Sequence, residues 1–285
     1  MSGQVTVACV QLTSTPDIAR NIALSSDLVR EAHAQGAQFV GLPEVVNLCQ
    51  RNRKLSMATA QTEADEPALA AYRALAAELG IWLLAGSLVV KLTDDERMAN
   101  RSFLIDPQGD IAARYDKIHM FDVDLANGER YRESATFRPG DRMVVADTPW
   151  GGLGMTVCYD IRFPYLYRTL AKAGAGIIAV PAAFTRPTGQ AHWHVLLRAR
   201  AIETGCFVIA PAQCGEHEDG RQTYGHALIV SPWGEVLADA GEAPGIALAT
   251  LDLAAVEQAR GMVPSLVHDR SAAPPVPLGL LAAGE

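Results

Sequence analysis

Apolar stretches of strand length alternate along this chain with stretches of helical period, and twice a tight hairpin signal breaks the alternation. No other feature constrains the fold as much. Alternation by itself points to parallel strands joined by crossover helices. The turns DPQGD and SPWGE instead join antiparallel neighbours, so a mixed sheet is expected. Predicted strands cover 5–12, 38–42, 81–90, 100–106, 110–115, 143–148, 154–157, 176–180, 206–212, 227–231, 235–238 and 246–253. Predicted helices cover 17–35, 67–79, 164–173 and 191–204, and a short one ends at 260. Two mixed sheets packed together, with helices outside, accommodate this many strands in one domain. No linker, repeat or low-complexity block divides residues 1–271, which read as one domain; 272–285 form a Pro- and Ala-rich tail, extended or docked on a partner subunit.

Composition narrows the function. Hydrophobic residues make up 49% of the 285 and charged residues 20%, enough for a sizeable core in a water-soluble chain. A net charge of −8 argues against a nucleic-acid or anionic-membrane binder, which needs clustered Lys and Arg, but leaves room for a small acidic ligand held by one or two arginines. The five cysteines are odd in number and include no CxxC, so neither a disulfide framework nor a structural zinc site is expected. The N-terminus MSGQVTVACVQL carries no secretory pattern, and the apolar run 81–90, broken by Gly86 and Ser87, is too short to span a bilayer. A reducing cytoplasm is the expected location.

In layered α/β folds chemistry collects beyond the carboxyl ends of strands. Four residues lie at or near such positions: Glu44 after FVGLP, Lys117 in RYDKIHMFD, Glu133 in YRESATFRPG, and Cys158 after GMTV. Each alone has an ordinary reading: a helix-start acid, a surface lysine, a loop acid, a core thiol. Together they are what a cysteine nucleophile requires. A thiol with its free pKa of ~8.5 is mostly protonated at neutral pH and needs a base or a cation to activate it. Glu44 can take the proton, and Lys117 can stabilise the thiolate and then the oxyanion formed at an attacked carbonyl. The backbone N–H of Tyr159 can be a second oxyanion donor, and Glu133 can orient Lys117 or a substrate amine.

With the flanking blocks AHWHVLLRARAIETGCFV and YGHALIVSPWGEVLADAG, these motifs give the sequence, from about residue 5 to 270, a resemblance to the nitrilase or carbon–nitrogen hydrolase superfamily. The resemblance implies an α/β fold in a four-layer α-β-β-α sandwich with two mixed β-sheets. It also implies a Glu–Lys–Cys triad with a second Glu, a small-molecule amide substrate, no metal or organic cofactor, and a homodimer or higher homo-oligomer. Within the superfamily the likeness runs to amidases that act on deaminated glutathione and to omega-amidases. That implies thioester-forming hydrolysis of the terminal amide of a small carboxylate-bearing substrate, with ammonia released. Alternatives on the same site are omega-amidase action on 2-oxoglutaramate and N-carbamoyl hydrolysis; outside catalysis, a silent scaffold of the same fold. Arg162 in CYDIRFP is then expected to hold a substrate carboxylate, with Phe184 and Thr188 in the pocket. The chain departs from the family pattern at Tyr165, Gln190 and His194 and at its end.

Other constellations compete. His119, close to Lys117, is the candidate base of a papain-like Cys–His pair, but that leaves three acidic and basic residues unexplained. His192 and His194 are two apart on a predicted helix and face different directions, so they do not suggest a shared metal ion. His226 reads as an inward hydrogen-bonding histidine. The group RNRK, 51–54, reads as a solvated loop or as a basic entrance for an acidic substrate. No glycine pattern suggests a nucleotide.

Overall fold

The computed structural model describes residues 3–125 and 128–272. Side chains of a strand alternate between faces, and in the opening strand Gln4–Leu12 both faces are apolar. Val5, Val7 and Cys9 enter one core, while Ala8, Val10 and Leu12 enter another. This strand therefore lies in an inner layer. Its second core is closed by Val29 and Ala32 of helix Ile18–Ala34 and by Leu69, Tyr72 and Leu75 of helix Pro67–Leu79. Its first core is shared with Leu153, Met155 and Ile177 of a second sheet, which is in turn covered by helices Pro164–Lys172 and Arg186–Thr204 through Leu166, Leu170, Trp193 and Leu197. Helices, sheet, sheet, helices: these are the four expected layers.

Both sheets are mixed. The opening strand runs parallel to Phe39–Gly41 and, at its end, to Ala212–Glu216, and antiparallel to Gly245–Asp252. In the second sheet Gly151–Met155, Ala175–Ala179 and Phe207–Ala210 are parallel neighbours, flanked by antiparallel strands. Both expected hairpins form: Met98–Ile105 with Ile111–Asp116, and Leu228–Val230 with Val236–Asp239.

Two expected strands are each broken in two. The run 81–90 becomes Trp82–Leu84 and Leu88–Lys91, because the chain bends at Ala85–Gly86–Ser87. Gly86 has φ +53°, and a Cβ there would lie 2.1 Å from the carbonyl oxygens of Leu42 and Pro43. The bend thus cradles the segment leading to Glu44, and Ser87 Oγ accepts the Val45 N–H at 2.9 Å. The run 206–212 is interrupted by Pro211, which has no N–H to give a ladder; Phe207–Ala210 stays in one sheet and Ala212–Glu216 joins the other. The helix expected from 191 begins at Arg186, with a proline in its first turn. Helix Arg53–Thr59 and strand Gln222–Tyr224 were not expected at all. The proposed tail lies, from residue 273 on, outside the described residues.

Gly86→Ala combines a left-handed backbone with a clash against two carbonyls, and is expected to destabilise the fold by about 3 kcal/mol or more. Urea unfolding of the two proteins checks this, and equal midpoints would contradict it.

Candidate active site

Past the strand Gly151–Met155, the chain turns sharply into the 3-10 turn Cys158–Arg162. Cys158 has φ +48°, a conformation non-glycine residues rarely adopt; among the described residues only Val45 and His226 share it. Val45 directly follows Glu44. The turn at Cys158 is held by Asp160, which is wholly buried. Its Oδ2 accepts the Val157 N–H at 2.8 Å and the Tyr115 hydroxyl at 2.7 Å, and its Oδ1 accepts the His119 N–H at 3.1 Å. The Cys158 N–H donates to the Pro181 carbonyl at 2.9 Å.

The four residues read from the sequence meet at this thiol. Glu44 accepts at Oε1 from Lys117 Nζ and Asn100 Nδ2, both at 2.9 Å, and at Oε2 from the Ala183 N–H at 2.7 Å. The Cys158 thiol lies beside the Glu44 carboxylate, near enough for each to shift the other's ionisation. Lys117 Nζ reaches both oxygens of Glu133 at 2.8 Å, so its donors are engaged by two carboxylates. Glu133 Oε2 additionally accepts the Phe121 N–H at 2.6 Å. Cys158, Glu44 and Lys117 are all buried, with Lys117 only 2% exposed.

Charge taken out of water must be compensated locally. Burial alone would raise the Glu44 carboxyl, but the Lys117 ammonium and its hydrogen bonds overcome it and hold the group below its ordinary 4.5. Burial, with the Glu44 charge, drives the Cys158 thiol well above its ordinary 9.0, against the pull of Lys117. Burial would lower Lys117, yet Glu133 and Glu44 keep it well above 10.5. Glu133 is raised, first by burial. The resting pair at neutral pH is therefore a protonated thiol beside an ionised carboxylate: a nucleophile with its base in contact, rather than a standing thiolate.

A cavity of about 270 Å³ opens onto this group. Tyr159, Phe184 and Thr188 line it. Arg162 does not line it. Its guanidinium lies 5.4 Å from the Phe184 ring and 5.9 Å from the Tyr159 ring, behind two wall residues, with Nη2 3.3 Å from His192 Nδ1. The sequence reading missed Asn100, whose Nδ2 bridges Glu44 and Glu133, and Asp160, although Asp160 stands inside the quoted motif CYDIRFP. Of the RNRK group, Arg51 reaches the cavity wall.

The competing constellations come apart. Both nitrogens of His119 are occupied elsewhere, Nδ1 by Asp160 at 2.6 Å and Nε2 by the Tyr165 hydroxyl at 2.8 Å, and its ring stacks on Phe163. His192 and His194 do face apart, towards Arg162 and Asp239 respectively. The neighbour of His194 is instead His226: a ring nitrogen of each donates to the Asp239 carboxylate, and these side-chain atoms come within 4.8 Å of one another.

A family model described as carbon-nitrogen hydrolase matches residues 6–261. The deaminated glutathione amidase of Synechocystis sp. is 44% identical over 265 residues, covering 92% of this chain and 96% of its own. Among solved structures, the C. elegans NitFhit protein superposes with a TM-score of 0.89 at 38% identity, over 94% of this chain and 66% of that longer one. A variant of the amidase from Nesterenkonia sp. AN1, showing Michael addition of acrylamide at its active-site cysteine, superposes with a TM-score of 0.76 at 27% identity, over 91% of this chain and 98% of its own.

Because the carboxyl of Glu44 sits below 4.5 and the Cys158 thiol well above 9.0, one protonation state of the pair holds from about pH 5 to 9. The rate of Cys158 alkylation by iodoacetamide, followed by peptide mass spectrometry, is expected to be flat across that range and to rise only above it. A titration centred near pH 7 would show a standing thiolate and contradict the assignment.

Proposed function

The chain belongs to the carbon-nitrogen hydrolase family, and from that premise we propose that it is a cysteine-dependent amidase acting on deaminated glutathione, with Cys158 as nucleophile and Glu44 as general base. The observation that carries this reading is that the buried Cys158 thiol and a Glu44 carboxylate bonded to Lys117 border the same cavity. Glu44 takes the thiol proton as sulfur attacks the amide carbonyl. The tetrahedral oxyanion is met by the Lys117 ammonium and the Tyr159 N–H. Collapse expels the amine, which takes its proton from Glu44, and leaves a thioester on Cys158. Water gives a proton to Glu44 and attacks the thioester; the acid departs and the thiol is restored. Glu133 steers Lys117 throughout, and Phe184 and Thr188 line the wall that holds the acyl end, with Arg162 packed against Phe184 rather than in the cavity.

The substrate decides the leaving group. From a primary amide such as 2-oxoglutaramate it is ammonia. Deaminated glutathione is glutathione whose γ-glutamyl amine has become a 2-oxo group, so its leaving group is the amine of cysteinylglycine and its acid product is 2-oxoglutarate.

Self-association is part of the reading. Val195 and Ile202, seven apart on one face of helix Arg186–Thr204, are exposed, as is Trp233. So is a reducing compartment: all five cysteines are free and buried. Among the described residues no helix is long and apolar enough to cross a membrane.

The test is release of 2-oxoglutarate and cysteinylglycine from deaminated glutathione by the purified protein. Cys158→Ala is expected to lower kcat by about 10,000-fold or more with unchanged thermal unfolding. Lys117→Ala is expected to cost about 3 kcal/mol of transition-state stabilisation. Full activity in the Cys158 variant would remove the mechanism.

A further inference from the structure

The cavity wall holds more cationic charge than the triad uses. Arg51, from the loop after Glu44, Tyr131, from the short strand Arg130–Arg132, and Arg221, from the turn before Gln222–Tyr224, all face it. The Arg51 guanidinium lies 5.2 Å from the centroid of the Tyr131 ring, a cation–π contact, and among the described residues it has no carboxylate partner. Arg221 reaches Asp219 with Nη2 at 3.3 Å, but its Nε is buried without an acceptor. One carboxylate serves this whole side: Asp219 Oδ2 accepts the Arg51 backbone N–H at 2.9 Å, and Oδ1 accepts the Arg221 backbone N–H at 3.0 Å. The other arginines of the wall differ, since Arg130 and Arg132 both pair with Asp124. Glu44 and Glu133 are taken up by Lys117, and Glu129 lies by the Tyr131 hydroxyl.

Only the Arg221 guanidinium pairs with Asp219, and the Arg51 guanidinium has no carboxylate among the described residues, so positive charge is left uncompensated; a buried donor without an acceptor is also costly to leave so. A single ligand carboxylate answers both, and guanidinium is the group suited to bind one. Arg162, behind Phe184 and Tyr159, belongs to other segments of the chain. The Arg51 and Arg221 pair on the cavity wall suits a substrate that carries a carboxylate beyond the scissile amide. We propose that Arg51 and Arg221 form an anion subsite for the carboxylate of the leaving group, the glycine end of deaminated glutathione. This assignment rests on the substrate reading above. It makes Arg51 and Arg221 specificity residues: they touch the part of the substrate that leaves, and select peptides with a free carboxyl terminus.

Three substrates separate the possibilities: deaminated glutathione, its C-terminal glycinamide, and 2-oxoglutaramate, which has no peptide leaving group. Arg51→Gln is the primary variant, because Arg51 is exposed and, among the described residues, its side chain makes no hydrogen bond or ion pair; Arg221→Gln is read only if its thermal unfolding matches that of the parent. For Arg51→Gln, KM for deaminated glutathione is expected to rise about 10- to 100-fold with kcat within about two-fold, while the other two substrates are unaffected. The parent enzyme is expected to favour the acid over the glycinamide by a similar factor. Equal losses on all three substrates, a loss on 2-oxoglutaramate alone, or no loss at all would overturn the subsite. A parent enzyme that cleaves acid and glycinamide equally would overturn the subsite and leave the substrate reading standing. A parent that hydrolyses 2-oxoglutaramate but neither peptide would overturn the substrate reading, and the subsite with it.

Discussion

An ammonium group buried between two carboxylates is the interaction on which this site depends. Lys117 is held charged at 2% exposure by Glu44 and Glu133, and Glu44 is held ionised there by Lys117. The arrangement fixes geometry as well as charge. Glu44 comes from the end of one strand, Lys117 from the end of a hairpin, and Glu133 from a short turn, and the shared Nζ holds all three within hydrogen-bond reach. The protonation states follow: an ionised Glu44 beside a neutral thiol is chemistry waiting for a carbonyl, and a thiolate is formed only as it is consumed.

Much of this was legible in the sequence, for identifiable reasons. The four layers follow from alternation, hairpin turns and the doubly apolar opening strand, all of which are local patterns. Glu44, Lys117 and Cys158 each stand just past a strand, where a polar residue after an apolar run is conspicuous. Asn100 carries no signal of its own because it opens a run of polar residues, Asn100, Arg101 and Ser102, within the strand Met98–Ile105, which in sequence looks like an exposed stretch of the sheet. Asp160 gives no signal of its own in the sequence, since its role is to brace the backbone of its own turn.

What was hidden was long-range or conformational. The Arg51 N–H meets Asp219 across 168 positions, and EDGR reads as an ordinary solvated turn. His194 and His226 meet at Asp239 only because a helix packs on a hairpin. The breaks at Gly86 and Pro211 had their signals in plain view, but each lay inside an apolar run whose strand propensity is stronger than a single residue's dissent.

The crossing at Pro211 has a mechanical consequence. A single residue separates a strand of one sheet from a strand of the other, so the layers are spliced rather than merely stacked. Pro211 abuts Gly41, where a Cβ would come within 3.2 Å of its ring, and its carbonyl accepts the N–H of Ala182, next to the Pro181 that receives the Cys158 N–H. The strand that delivers the base and the loop that anchors the nucleophile thus bear on the same residue. Sliding of one sheet over the other, the softest motion available to a layered protein, is blocked where it would separate the carboxylate from the sulfur.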